Sequence, residues 1–381
     1  MRLLHTSDWH IGRTFHGHDL LADQRAVLGA VAGLAGDRRV DAVLVAGDLY
    51  DRAVPSADAM QVATAALTAI HAAGADIVAI AGNHDSAPRL GVFTDFLASG
   101  GLHLRTDPAR LAEPVLLHDE HGPVAIYAIP YLEPEVVRTL LGLQGPAGHQ
   151  QVLRAAMDLV RADLATRPAG TRSVVLAHAF VVGGQASGSE RPITVGGVEC
   201  VSGDVFDGID YVALGHLHGR QQLSDRMRYC GSPLPYSFTE AGHRKGAWLV
   251  DLAADGSVSA DWLDLPVVRP LATVRGTLDE ILAGHADLTE HYLAVELTDE
   301  VRPVDAMRRL REKFPFALTL SWEPVGASAA PAAFPAVTKA VSDEDVVEAF
   351  LADCRGKGAS PDERELIAAA VAAGRAAEVT S

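Results

Sequence analysis

What most limits the folds open to this chain is a pattern that occurs five times: an apolar run that stops at an Asp, Asn or His. Leu3-Leu4-His5-Thr6-Ser7 leads into Asp8-Trp9-His10, and Val43-Leu44-Val45-Ala46 into Gly47-Asp48. Ile77-Val78-Ala79-Ile80-Ala81 leads into Gly82-Asn83-His84-Asp85, Val174-Val175-Leu176-Ala177 into His178, and Tyr211-Val212-Ala213-Leu214 into Gly215-His216-Leu217-His218. Short branched runs cut off in this way are those of parallel strands buried on both faces. Ligands gather beyond the carboxyl ends of such strands. The chain is therefore expected to be an α/β protein whose five runs deliver polar groups to one edge of one sheet.

Taken singly, the motifs say little. Asp-x-His is common, Gly-Asp is an ordinary turn, and a lone His such as His178 is more often a core or turn residue than a ligand. Five such groups at five strand ends are another matter. Asp, Asn and His are the ligand types that suit borderline-to-hard divalent cations.

Between the runs, Leu20-Leu21, Val27-Leu28, Val31 and Leu34 recur at helical spacing, which predicts a β-α-β unit with a right-handed crossover. Ser56 precedes a stripe of Met60, Ala63, Leu67 and Ile70 that closes at Gly74, a helix with an N-cap and a C′ glycine. Val115-Leu116-Leu117 and the run from Val124 to Ile129 flank a polar turn and predict a hairpin added to the sheet. A helix carrying Val152, Leu153, Ala156, Val160 and Leu164 follows. Residues 181–190 turn to Gly, Ser and Ala, a mobile loop beside His178 where substrate contacts are expected. The segments 227–230, 247–252 and 258–262 predict antiparallel strands.

At 381 residues the chain has room for two or three domains. A boundary is placed near Pro266–Pro270, separating a domain at 1–268 from a small β-α-β-α-β module at 269–323, whose first helix opens with the capping box Thr277 to Glu280. Residues 324–340, mostly Ala, Pro, Gly and Val, are expected to be a semi-rigid linker. Residues 341–381 predict two short helices, capped by Ser342 and Ser360. Their apolar residues (Val346, Val347, Phe350, Leu351; Leu366, Ile367, Val371) need a partner.

A hydrophobic content of 48% with 21% charged residues belongs to a globular protein. No apolar run approaches the roughly 18 residues of a membrane span, so no membrane contact is expected. The three cysteines, Cys200, Cys230 and Cys354, have no paired spacing, and the opening stretch reads as a strand, so that no leader is expected; a cytoplasmic location is the expectation from both. The net charge of −17 argues against a generally basic surface for nucleic acid. It does not argue against a phosphate substrate, because two divalent cations would add four positive charges beside Asp8 and Asp48.

Two cations about 3.5–4 Å apart can clamp the attacking and leaving oxygens of a phosphoryl displacement. Asp48, central in the order, is read as the shared ligand. Asp8, His10 and His218 would complete one ion, and Asn83, His178 and His216 the other. His84 is left over for a general acid or a donor to the phosphate, with Asp85 expected to orient its imidazole.

This order of motifs resembles the calcineurin-like metallophosphoesterase superfamily. Within it, the stretches 5–12 (HTSDWHIG), 46–51 (AGDLYD), 82–86 (GNHDS), 213–218 (ALGHLH) and 229–233 (YCGSP) are similar to the SbcD-type nucleases over nearly the whole chain. The resemblance implies a four-layer αββα sandwich with a small α/β cap module and C-terminal helices. It implies two metal ions, usually manganese, held as assigned above, and hydrolysis of phosphodiester bonds in DNA: ATP-dependent double-strand exonuclease and single-strand endonuclease activity in repair, recombination and replication. It also implies an SbcC-like SMC-family ATPase as partner in a heterotetramer, docking of helices 341–381 on its coiled coil, and a homodimer through the nuclease domain. The alternatives are a phosphatase or small-molecule phosphodiesterase on the same site, and a non-enzymatic partner-binding protein.

His16-Gly17-His18-Asp19 also spells His-x-His, but it falls in a polar loop expected to face solvent or DNA. Arg13, Arg52, Arg89 and Arg220 closely follow site residues and are candidate phosphate contacts.

Overall fold

The structure, a computed structural model, describes residues 1–191, 200–324, 342–355 and 357–380. The linker expected at 324–340 lies, apart from Pro324, outside the described residues. The chain divides into two compact units, Met1–Val268 and Arg269–Ser381.

In the first unit the first three apolar runs become neighbouring parallel strands. They are β1 (Arg2–Thr6), then, after α1 (Leu21–Asp37), β2 (Ala42–Val45), and, after α2 (Ala57–Ala72), β3 (Asp76–Ile80). Leu3 faces Ala42, and Ala42 faces Asp76. The Ser56 hydroxyl caps α2 by accepting the Ala59 N–H at 3.2 Å, and Gly74 ends it at φ +91°, where a side chain would be strained. β4 (Leu102–Arg105) extends this sheet beside β3.

A second sheet follows from β5 (Val115–Asp119), β6 (Gly122–Ile129), β7 (Arg172–His178), β8 (Tyr211–Gly215) and β9 (Met227–Tyr229), with α3 (His149–Leu164) between β6 and β7. Its strand order is Gln221–Gln222, β9, β8, β7, β6, β5. The chain then returns to the first sheet with β10 (Gly246–Leu252) and β11 (Val258–Asp264), giving β11-β10-β1-β2-β3-β4.

The expectation of a single sheet is corrected here: β1, β2 and β3 lie in one sheet, β7 and β8 in the other, and the β5–β6 hairpin extends the second. The strand at 227–229 runs parallel to β8 and not beside β10. The physical reason is that a run apolar on both faces packs equally well in either sheet. Alternation divides those faces. Ala125, Tyr127, Val175, Ala177, Val212 and Leu214 pack with Val152, Ala156, Met157 and Val160 of α3. The intervening Val124, Ile126, Val174, Leu176, Tyr211 and Ala213 are just as buried and face the first sheet. His5 bridges that interface, with Nδ1 2.9 Å from the Tyr211 hydroxyl and Nε2 3.1 Å from the Leu214 carbonyl. Burial lowers its pKa to about 3 and keeps it neutral. With α1 and α2 packed together beside the first sheet, the unit is the expected αββα sandwich.

A buried ion pair closes the far end of the sandwich. Arg172 donates to both carboxylate oxygens of Asp119, at 2.9 and 2.5 Å, and Asp119 also meets the Met1 amine at 2.7 Å.

In the second unit, β12 (Leu271–Gly276), β13 (Tyr292–Leu297) and β14 (Ala317–Trp322) form a parallel sheet, joined by α4 (Leu278–Ala283) and α5 (Ala306–Lys313). Val274, Leu278, Ile281, Leu293, Val295, Leu310 and Phe314 form its core. The capping box is reciprocal: Thr277 accepts the Glu280 N–H and Glu280 accepts the Thr277 N–H. α6 (Asp343–Arg355) and α7 (Pro361–Thr380) run antiparallel, tied by Arg364–Glu348 at 2.7 Å and Arg375–Asp343 at 2.8 Å. At 20 residues, α7 is longer than the short helix expected. No helix among the described residues is long and apolar enough to cross a membrane.

Candidate metal centre

The site forms where the carboxyl ends of β1, β2 and β3 meet those of β7 and β8. Asp8, His10, Asp48 and His216 all adopt positive φ, at 53°, 45°, 49° and 101°. Side chains rarely take this conformation, and it is held only where surrounding bonds over-determine it. Here Asp8 N–H donates to the Gly47 carbonyl at 3.1 Å, His10 N–H to Asp48 at 2.9 Å and Ile11 N–H to Leu49 at 3.0 Å. Two glycines let the sheets close on each other. A Cβ on Gly47 would strike the His178 ring, and one on Gly215 would strike the Ala46 carbonyl oxygen.

Three overlapping triads result among the described residues: Asp8–His10–His218, His10–Asp48–His84 and Asp8–Asp48–His178, with potential ligand atoms in each within 4.8 Å of one another. Asn83 joins them, its Oδ1 2.9 Å from His178 Nε2. His216 enters differently. Its backbone N–H donates to the Asp8 carboxylate at 2.9 Å, while its ring centroid lies 5.3 Å from that of His178.

Tautomers show what this convergence suits. His178 Nδ1 lies 3.0 Å from the Ala46 carbonyl, and His84 Nδ1 2.9 Å from that of Asp51. A carbonyl only accepts, so each Nδ1 carries the hydrogen and each neutral imidazole keeps a bare Nε2. At His178 that lone pair faces Asn83 Oδ1 and, at 3.4 Å, Asp48 Oδ2. Three electron pairs thus point at one place with no hydrogen to share. His10 Nε2 sits 3.1 Å from His218 Nε2 and 3.5 Å from Asp48 Oδ2. Buried donor atoms arranged in this way fit divalent cations.

Without cations, protons take their place. Burial opposes charge at His178, but Asp48 outweighs it and raises the imidazole to about 9. Burial likewise opposes charge on Asp48, yet His178, His10 and His84 hold its carboxyl well below the ordinary range. His216 falls to about 3 through burial and the neighbouring His178.

Asp85 does not orient His84, contrary to the sequence expectation. Its carboxylate accepts the backbone N–H groups of Leu49 at 3.0 Å, Tyr50 at 2.9 Å and Gly82 at 2.9 Å, fastening the two Asp- and Asn-bearing loops together. The backbone carbonyl of Asp51 holds His84 instead.

The loop 181–190 is also more tightly held than composition suggests: Glu190 accepts the His218 N–H at 2.9 Å, and the Ser187 carbonyl accepts the Thr239 hydroxyl at 2.7 Å. Sequence reasoning passed over Glu190, Arg191, Glu240 and Lys245, all of which the fold brings to the site. Arg191 reaches the Asn83 carbonyl at 3.4 Å. Of the arginines singled out, Arg13 stacks on Tyr236 and bonds the Ser189 carbonyl, while Arg52 is largely exposed beside Asp51. Arg220 is exposed between Trp248 and Trp262, and Arg89 is exposed on a short helical turn. His16 and His18 lie in the turn and second strand of a small two-stranded ribbon, Thr14–Phe15 paired with His18–Asp19, outside the triads, with His16 against Phe15 and Phe238.

A calcineurin-like phosphoesterase family model matches residues 1–220. A model for the SbcD C-terminal domain, under the description Type 5 capsule protein repressor C-terminal domain, matches residues 267–355. Among solved structures, TT1561 of Thermus thermophilus is 14% identical, covering 68% of this chain and 98% of its own, with a TM-score of 0.40. A dimetal phosphatase from Danio rerio is 13% identical, covering 70% and 98%, with a TM-score of 0.39.

Proposed function

Given that the chain belongs to the calcineurin-like phosphoesterase family, as a metal-dependent phosphoesterase of the SbcD type, we propose that it is a DNA nuclease subunit hydrolysing phosphodiester bonds. The observation that favours a nuclease over a phosphatase or small-molecule phosphodiesterase is the SbcD C-terminal domain match at 267–355. A stand-alone phosphatase site has no need of that module.

When bound, two divalent cations, manganese in this reading, supply Lewis-acid stabilisation to both sides of the displacement. Asp48 would be the ligand they share; Asp8, His10 and His218 would hold one, and Asn83, His178 and His216 the other. His84, fixed through Nδ1 by Asp51, faces the site with Nε2, which in the imidazolium form delivers a proton to the leaving oxygen or donates to the phosphate and in the neutral form has none to give. In this reading Arg191, beside the Asn83 carbonyl, and Arg13 would meet the phosphate charge.

The phosphoesterase domain is assigned to 1–268, the cap to 269–323 and a docking segment to 341–381. The partner in this reading is an SbcC-like SMC-family ATPase, which would confer ATP-dependent exonuclease action on duplexes in the cytoplasm. Val346, Phe350 and Leu366, 40%, 56% and 71% exposed, supply the apolar contacts for docking. Val92, Phe93 and Phe96, 50%, 76% and 79% exposed, support a homodimer through the nuclease domain.

The test compares plasmid, single-stranded circles and p-nitrophenyl esters with manganese, with and without the ATPase. Cleavage of circles by the chain alone, and of linear duplex with the ATPase and ATP, is expected. Rapid ester turnover with intact DNA would favour the phosphatase alternative.

A further inference from the structure

Glu240 is 1% exposed, follows His218 in the chain, and takes no part in the ligand set described above. It accepts a hydrogen bond from the Ser189 hydroxyl. The same hydroxyl oxygen lies 2.5 Å from His218 Nδ1. A carboxylate has no hydrogen to give, so the Ser189 hydrogen points to Glu240 and its oxygen must accept from His218. Nδ1 of His218 then carries the ring hydrogen, and Nε2, 3.1 Å from His10 Nε2, is left bare on the cation side.

We propose that Ser189 and Glu240 are positioning residues that fix the tautomer of His218, so that docking of the 187–190 loop and loading of the cation held by Asp8, His10 and His218 are one coupled event.

Three further sets of contacts support this. Lys245 donates to Glu240 at 2.5 Å, to the His218 carbonyl at 2.9 Å and to Ser232 at 2.9 Å, neutralising the buried carboxylate and tying it to the His218 backbone. The Glu190 carboxylate accepts the His218 N–H and three donors from the loop itself: the Ser187 N–H, the Ser187 hydroxyl and the Gly188 N–H. The Ser189 carbonyl accepts Arg13 Nη2 at 2.8 Å. The loop is thus fastened at both its hydroxyl and its carbonyl to elements around His218, and Ser189 cannot leave without releasing Nδ1. Outer partners that orient a ligating imidazole commonly set metal affinity by about 10- to 100-fold.

The inference rests on the two-cation reading of the site, and its test reads metal and tautomer instead of DNA. Manganese ions alone are titrated into the metal-free full chain, wild type, Ser189→Ala and Ser189→Thr, with binding followed by electron paramagnetic resonance. The His218 tautomer is read by ¹⁵N resonance in histidine-labelled protein. Ser189→Ala leaves the Glu240–Lys245 pair in place and avoids the folding failure that Glu240→Ala risks. The expected result is loss of about 10-fold or more in affinity for one of the two ions, a shift of His218 toward the Nε2–H tautomer, and recovery of both in Ser189→Thr. Unchanged affinity and tautomer in Ser189→Ala, with wild type binding two ions, would overturn this inference and leave the nuclease reading intact. A wild-type chain that binds no manganese would overturn the metal centre itself. Two ions bound with the expected Ser189→Ala loss, but no DNA cleavage, would sustain the inference and remove the nuclease.

Discussion

His84 gives its Nδ1 hydrogen to the backbone carbonyl of Asp51, 2.9 Å away, although Asp85 is its neighbour in the chain. A carbonyl partner leaves Nε2 as the atom through which His84, in the proposed role, would meet the substrate. His84→Gln should therefore bind manganese as wild type does while its single-turnover cleavage slows by about 10²-fold or more, the scale of a lost general acid or oxyanion donor. Loss of one ion would instead make His84 a ligand, as its place in the triad with His10 and Asp48 allows.

At Gly215 the second sheet meets the first too closely for a side chain, since a Cβ there would overlap the Ala46 carbonyl oxygen that also accepts His178 Nδ1–H. Gly215→Ala should push the two strand ends apart, lowering both stability in urea and manganese affinity. Gly29, in α1, has nothing within 4 Å of a built Cβ. Gly29→Ala should leave the site unchanged and raise stability by about 0.5–1 kcal/mol through helix propensity.

Protons and cations compete for His178. Burial alone would lower its pKa, but Asp48 raises it to about 9 without a cation. Below pH 9 the imidazole must give up a proton when a cation takes Nε2, so affinity rises with pH and weakens in acid. Calorimetry at about pH 7–8 in buffers of different ionisation enthalpy should report release of about one proton per His178-bound ion. Identical heats in all buffers would contradict this.

The site's polar groups were legible because each sits at the end of an apolar run, where strand geometry leaves little choice of position. Asp48, Asn83 and His178 come together as their motifs suggest. The division into two sheets was legible only through the family resemblance and not in the runs themselves, because Val174 and Val175 are equally apolar and nothing in them says which face meets a helix and which meets another sheet. Asp85 was misread because adjacency in sequence is not adjacency of side chains: its carboxylate turns back to the N–H groups of Leu49, Tyr50 and Gly82. Glu240 and Lys245 had no signal at all. An isolated acid and base in a polar loop look like surface residues until folding buries them as a pair.

For the tail, a chain truncated after Ala340 should keep manganese-dependent cleavage of single-stranded circles but lose association with the ATPase. Phe350, 56% exposed on α6, is the residue on which docking is expected to depend. Phe350→Asp should reproduce the truncation in a pull-down, because it would bury a charge in the interface. Undiminished association would place the interface elsewhere.

In the proposed centre the carboxylate of Asp48, 3.5 Å from His10 Nε2 and 3.4 Å from His178 Nε2, is the ligand both cations would share. Equilibrium dialysis of manganese against wild type and Asp48→Asn, with circular dichroism to confirm folding, tests this most directly. Wild type should hold about two ions per chain, and a well-folded Asp48→Asn should lose both together with DNA cleavage. A folded Asp48→Asn that kept both ions and full manganese-dependent cleavage would contradict the shared-carboxylate centre.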